Sequence, residues 1–175
     1  MENDRRNVID AFRGISTEGI KDILDKTRNN LEIAIENLER DFNMGTIVRT
    51  ANAFNVRTVH VIGRRQWNKR GAMATDKYMD VCYHDNVQQF LQSVSKKNII
   101  GIDIIEESLS LHDVKLPLDS ILVFGSEKNG LSPEMIKSCS QIIAIEQFGS
   151  TRSMNVGVAA GIAMYAWMQQ HVLTS

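Results

Sequence analysis

Ser120-Ile-Leu-Val-Phe-Gly-Ser-Glu-Lys-Asn-Gly-Leu-Ser-Pro-Glu134 decides how the rest of the chain is read. Ser120 to Phe124 is an apolar, β-rich run of the kind buried on both faces of a sheet. It stops at Gly125, and Asn129-Gly130 marks a tight turn with positive φ. Ser132 is a good N-cap, Pro133 suits the first helical position, and Glu134 sits at the positive end of the helix dipole. A buried strand that gives way to a capped helix leaves backbone amides and carbonyls bare at the sheet edge, where open α/β sheets bind ligands. Gly125 and Gly130 also frame a G-x-x-x-x-G. Leu131 stands where a phosphate loop carries lysine, however, and Glu127 puts a negative charge inside the loop. The loop suits a neutral or positively charged ligand read by backbone atoms.

Outward from this stretch, strands and helices alternate. Downstream, Ile142 to Glu146 reads as the last strand. A polar loop, Gln147 to Ser153, leads to a long helix opening near Asn155. Gly157, Ala159, Ala160, Gly161 and Ala163 let that helix approach the sheet or a partner helix closely. Upstream, Leu31 to Leu38 alternates as a first strand, and a helix from about Met44 to Phe54 buries Met44, Ile47, Val48, Ala51 and Phe54. Arg49 falls off that stripe and leans back toward Asn43, so the two are expected to converge at the helix start. Thr58 to Gly63, Asp80 to His84 and Ile99 to Ile104 read as further strands, with a helix over Gln88 to Ser95. The alternation predicts an α/β fold with a mostly parallel sheet flanked by helices.

Two segments invite RNA. Arg64, Arg65, Lys69 and Arg70 surround Trp67, and basic residues interleaved with an aromatic suit a phosphate backbone and an unstacked base. The competing reading makes Trp67 a hydrophobic anchor in a solvated loop; the position after a strand favours RNA. Residues 1–30 form a polar helical arm, with Thr17 as cap of a helix reaching Arg28. Arg5, Arg6 and Arg13 either solvate that arm or touch a phosphate backbone.

The chain has 175 residues, enough for one α/β domain over 1–175 with the arm at its start. Its hydrophobic content is 43% and its charged content 23%, both ordinary for a soluble globular protein. No apolar run approaches a membrane span and the first residues carry no signal-peptide core, which points to a cytoplasmic protein. Cys82 and Cys139 lack metal or redox spacing and read as buried free thiols. A net charge of −1 confines any nucleic-acid surface to local patches.

Three stretches together resemble a known family. Asn43-Met-Gly-Thr-Ile-Val-Arg-Thr-Ala51, Phe124-Gly-Ser-Glu-Lys-Asn-Gly-Leu131 and Ser153-Met-Asn-Val-Gly-Val-Ala159 are similar, in order and spacing, to the motifs of the SpoU (TrmH-like) class of SPOUT RNA methyltransferases. The likeness spans about 31–171, and Arg64 to Gly71 resembles the branch that methylates tRNA guanosine. The resemblance implies a sheet whose C-terminal part is threaded into a deep trefoil knot, an exception to unknotted chains. It implies a homodimer with the site near the interface, and methyl transfer from S-adenosylmethionine to a ribose 2′-hydroxyl, in tRNA rather than rRNA. The alternatives are the same transfer to rRNA and a non-catalytic RNA-binding protein of the same fold.

By motif position, Gly125, Ile145 and Met154 would contact the cofactor, and Asn43, Arg49, Glu127, Ser153 and Asn155 would be catalytic or site-shaping. Arg49 is a poor base, with a pKa above about 12, and is better suited to binding a phosphate and stabilising the developing alkoxide. Glu127 either shapes the loop or attracts the donor's positive charge. Two positions depart from the family pattern: Glu146 replaces a usual proline, and Met154 a usual leucine.

Overall fold

Ser120–Phe124 occupies the middle of a seven-stranded parallel sheet, and every residue of the strand is buried. The structure is a computed structural model that describes residues 4–36, 41–63, 67, 69–94 and 97–173. In chain order the elements are α1 (Thr17–Asp25), β1 (Asn29–Glu36), α2 (Asp41–Ala53), β2 (Val56–Ile62), β3 (Asp80–His84) and α3 (Val87–Ser93). They continue with β4 (Asn98–Ile102), β5 (Leu109–Ser110), β6 (Ser120–Phe124), α4 (Pro133–Ser138), β7 (Gln141–Ala144) and α5 (Val156–His171). The strands lie in the order β3-β2-β1-β6-β4-β7-β5. Two late strands therefore enter between earlier ones: β6 between β1 and β4, and β7 between β4 and β5.

Strand alternation sends neighbouring side chains into two helical layers. Ile33 and Ile35 join Met44, Ile47 and Val48 of α2 and Ala160, Met164 and Trp167 of α5. Ala34 and Val123 join Phe90 of α3 and Met135 of α4 on the opposite face. The small residues of α5 work as expected. A Cβ on Gly157 would meet Thr46 of α2 at 3.2 Å, and one on Gly161 would meet Thr50 at 3.9 Å.

Several boundaries differ from the sequence reading. Ser16 caps α1, accepting from the Gly19 amide at 3.0 Å, and Thr17 is already helical. The strand β4 ends at Ile102, not Ile104, and β7 ends at Ala144, which places Ile145 and Glu146 in the following loop. The two-residue strand β5 carries no signal of its own in sequence and exists through its pairing with β7. In the arm, Arg6 donates to Asp4 and to the Ile15 carbonyl, and Arg13 pairs with Asp10 at 3.0 Å; Arg5 is exposed. The expectation of two buried thiols fails: Cys82 is exposed because β3 is an edge strand, and Cys139, at the C-terminal cap of α4, is only partly buried.

The largest correction concerns Trp67. It is 9% exposed, packs in the core, and donates through Nε1 to the Tyr83 hydroxyl at 3.3 Å. A ring held there cannot stack on a base, so Trp67 is the anchor of its loop. Lys69 lies over its face at 5.9 Å and pairs with Asp76 at 2.8 Å. Arg70 is exposed in the 3-10 turn Lys69–Ala72, while Arg64 and Arg65 lie outside the described residues. A Cβ on Gly45 would sit 2.7 Å from Gly71 Cα, so the missing side chain lets this basic segment close against the start of α2.

Candidate functional site

The C-terminal ends of β6, β4 and β7 open into a cleft of about 640 Å³, the size that takes a cofactor-sized ligand. One wall is the loop after β6. Ser126 and Gly130 exchange backbone hydrogen bonds of 3.0 and 2.9 Å, and Gly130 takes φ +66° to close the turn. Gly125 does not need unusual dihedrals; it needs the absence of a side chain. A Cβ there would come closer than 3.0 Å to Gly130 and to the Leu131 amide. The opposite wall is the segment after β7. It brings Ile145, Ser153 and Met154 to the same cleft, together with Arg152.

Three side chains from distant segments meet at this cleft. Asn155 caps α5, its Oδ1 accepting from the Gly157 and Val158 amides at 2.9 and 3.3 Å. That fixes its Nδ2 outward, where it donates to Asn43 Oδ1 at 3.0 Å. Asn43 then donates through its own Nδ2 to Glu127 Oε1 at 2.7 Å. The chain of donors runs one way, from the helix amides to a carboxylate, so each amide can point in only one direction. Asn43 is buried, at 6% exposure, and each amide nitrogen keeps a second N–H beyond the bond it makes here.

Arg49 behaves differently. It is exposed on α2 and does not line the cleft of its own chain, so the expected convergence with Asn43 is not found within one chain. The two sit six residues apart, a rise of about 9 Å, but on different sides of the helix.

Sequence reasoning passed over Asp103 and noted Glu146 only as a departure from the family pattern. Asp103, the first polar residue beyond the apolar run of β4, lines the cleft and accepts from the Leu131 amide through Oδ2 at 2.8 Å. Its position at the end of a central strand was the available signal. Glu146 accepts from the Ser110 hydroxyl and from the His112 amide, tying the loop after β7 to the edge of the sheet. The Ser110 bond, chiefly, holds the Glu146 carboxyl below its ordinary range. The acidic residue at a usual proline position is thus satisfied locally.

Comparison with known proteins follows the same geometry. Residues 30–165 match the model of the SpoU rRNA Methylase family. A tRNA (guanosine(18)-2′-O)-methyltransferase of Aquifex aeolicus is 28% identical over 157 residues, covering 86% of this chain and 74% of the relative. A 23S rRNA (guanosine-2′-O-)-methyltransferase, RlmB, of Neisseria meningitidis is also 28% identical, over 97% of this chain and 75% of its own length. The crystal structure of the A. aeolicus TrmH/SpoU tRNA modifying enzyme superposes with a TM-score of 0.80 at 26% identity, covering 90% of this chain and 83% of that one.

Proposed function

The chain belongs to the SpoU rRNA methylase family, and from that premise we propose that it moves a methyl group from S-adenosylmethionine to a ribose 2′-hydroxyl of RNA, with guanosine in tRNA the favoured target. The observation that carries this reading is the Asn155–Asn43–Glu127 chain, which binds the three motif segments together at one cleft. S-adenosylmethionine supplies a methyl carbon on a positively charged sulfur. Gly125, Ile145 and Met154 would hold that cofactor, largely through backbone. The cleft fits such a molecule: its wall leaves no room for a Cβ at Gly125, and Asp103 and Glu127 share the lining with Lys128 and Arg152. A mixed lining suits a ligand that carries both signs of charge.

The chain's own residues have two tasks. One is to bring the ribose oxygen close and in line. The spare N–H groups of Asn43 and Asn155, with Ser153 beside them, orient a hydroxyl without adding charge. The other task is to stabilise negative charge on that oxygen as its proton leaves, for which a guanidinium beside the adjacent phosphate is suited. Arg49 faces solvent, so it would serve this role in the cleft of a second copy. A homodimer is supported by Val158, Ile162 and Tyr165, an exposed apolar stripe on α5. This stripe lies beside α2, and Tyr165 stands 6.3 Å from Phe54. The interleaving of β6 and β7 supports the knotted path that the family resemblance implies.

The test is methylation of tRNA and rRNA by the purified protein with tritiated S-adenosylmethionine, followed by nucleoside mass spectrometry. Label in 2′-O-methylguanosine from tRNA is expected. Arg49→Ala should bind S-adenosylhomocysteine normally and lose turnover by roughly 100-fold or more; near-normal turnover would falsify its assignment. A ribosomal target is the second reading, favoured by the equal identity to the Neisseria relative. Label confined to rRNA would establish it.

A further inference from the structure

Two carboxylates grip the loop after β6 where it enters α4, and they do so differently. Asp103 follows β4, between the donor cleft and the loop. Its Oδ1 accepts from the Ile104 amide at 2.7 Å and its Oδ2 from the Leu131 amide at 2.8 Å. Both oxygens are engaged, and the carboxylate fills the space a Gly130 side chain would need. Glu36 ends β1 on the other side of the sheet edge. Its Oε2 accepts from the Ser132 amide at 3.0 Å, and its Oε1 is buried with no partner among the described residues.

We infer that Asp103 is a positioning residue for the methyl donor: its two-handed carboxylate sets the distance between β4 and the Gly125–Leu131 loop, and so the width of the donor cleft. This rests on the cleft being the donor site. The loop is held to β4 by the Asp103–Leu131 bond, while the Ser126–Gly130 pair holds it only to itself. Losing that bond frees the wall to move relative to Ile102 and Ile104, which line the same cleft. The geometry also distinguishes the two acids. An amide at position 103 can serve one of the two N–H groups but turns a donor on the other. An amide at position 36 can accept from Ser132 through its carbonyl oxygen and put its NH₂ where no bond was made.

The experiment is calorimetric titration of the full chain with S-adenosylmethionine and, separately, S-adenosylhomocysteine, which lacks the sulfonium charge. Asp103→Asn should weaken both ligands by the same factor, roughly tenfold. The loss should appear in KM for the donor, with kcat at saturating donor nearly unchanged. Glu36→Gln should leave both affinities within about twofold of the parent protein. If Asp103→Asn does not fold, Gly130→Ala strikes the same carboxylate from the other side and also strains the positive φ of the turn, so it should show a paired loss at least as large. Unchanged affinities would overturn the inference. So would a loss for S-adenosylmethionine alone, which would make Asp103 a direct contact to the sulfonium. If the unaltered protein bound neither ligand, the donor reading would fall, and this inference with it.

Discussion

Gly125→Ala isolates the shape of the donor wall from its chemistry. Gly125 is not among the positive-φ glycines, so alanine can adopt its backbone without dihedral strain. The obstacle is steric. An added Cβ would lie closer than 3.0 Å to the carbonyl carbon and oxygen of Gly130 and to the Leu131 nitrogen. These are backbone atoms and cannot swing aside as a side-chain tip would. To regain ordinary contact distance, the far side of the loop must retreat by more than about 1 Å. That retreat strains three hydrogen bonds: the 3.0 and 2.9 Å bonds between Ser126 and Gly130, and the 2.8 Å bond from Leu131 to Asp103.

At about 1 kcal/mol each, restoring the binding shape costs about 2–3 kcal/mol. Because about 1.4 kcal/mol is a factor of ten, S-adenosylhomocysteine should bind roughly 30- to 150-fold more weakly. Gly149→Ala is the control. It lies in the opposite wall's loop, and a Cβ there meets nothing within 4 Å, so its affinity should match the parent's. Isothermal titration of both variants gives the comparison directly. An affinity for Gly125→Ala within threefold of the control would refute the claim that the backbone contact at this glycine shapes the cleft.

Trp67→Ala should cost about 3–5 kcal/mol of stability, read as a lowered urea midpoint at constant slope, because it empties a core position. A stable variant with weakened RNA binding alone would return Trp67 to the surface role that its sequence context suggests. Asn155→Ala should lose about 1–2 kcal/mol as a missing N-cap. It should also cut turnover more than Ser132→Ala, a cap substitution outside the network, because Asn43 loses its orienting donor.

Stability should also fall in acid. Glu32, His60 and His84 form a buried row, with His60 bonded to Glu32 Oε2 at 3.0 Å and to His84 at 2.9 Å; Lys97 reaches the other oxygen of Glu32. Burial, then His60, holds His84 below its ordinary 6.5. Burial alone would raise Glu32, but bonds from His60 and Lys97 outweigh it and hold the carboxyl below 4.5. Both groups therefore bind fewer protons folded than unfolded, and stability is full above about 6.5 and lost as pH falls. His84→Gln should flatten the upper part of a Tm-against-pH curve and leave the part below about 4.5 in place.

The legible parts of the fold were those set by local chemistry. Ser120 to Phe124 and the cap at Ser132 fall where the sequence puts them, because four consecutive apolar residues, a stopping glycine and a Ser-Pro pair each act within a few residues. Asp80–His84 and the opening of a long helix near Asn155 were legible for the same reason. Asn43, Glu127, Ser153 and Asn155, proposed from motif resemblance, all line the cleft. What failed needed a partner to define it. A two-residue strand such as Leu109–Ser110 exists only by pairing with β7. Trp67 sits among cations in sequence yet buries itself against Tyr83, a contact sixteen residues away. Helical spacing put Arg49 off the apolar stripe correctly, but the lean toward Asn43 ignored that the two occupy opposite exposures, one solvated and one buried.

A cleft walled by backbone also sets which substitutions it can absorb. Where the main chain makes the contact, a side chain matters only through the space it takes or the strand it holds. Met154 can stand where leucine is usual because it offers similar apolar volume. Glu146 can stand where proline is usual because Ser110 and His112 satisfy its carboxylate away from the cleft. The same logic runs the other way at Gly125, where even a methyl group intrudes, and at Asp103, where no other side chain can accept from both amides in that space. Positions that look interchangeable by chemistry thus divide by geometry. The intolerant ones are those where a second stretch of main chain lies within a methyl group's reach or two N–H groups share one acceptor.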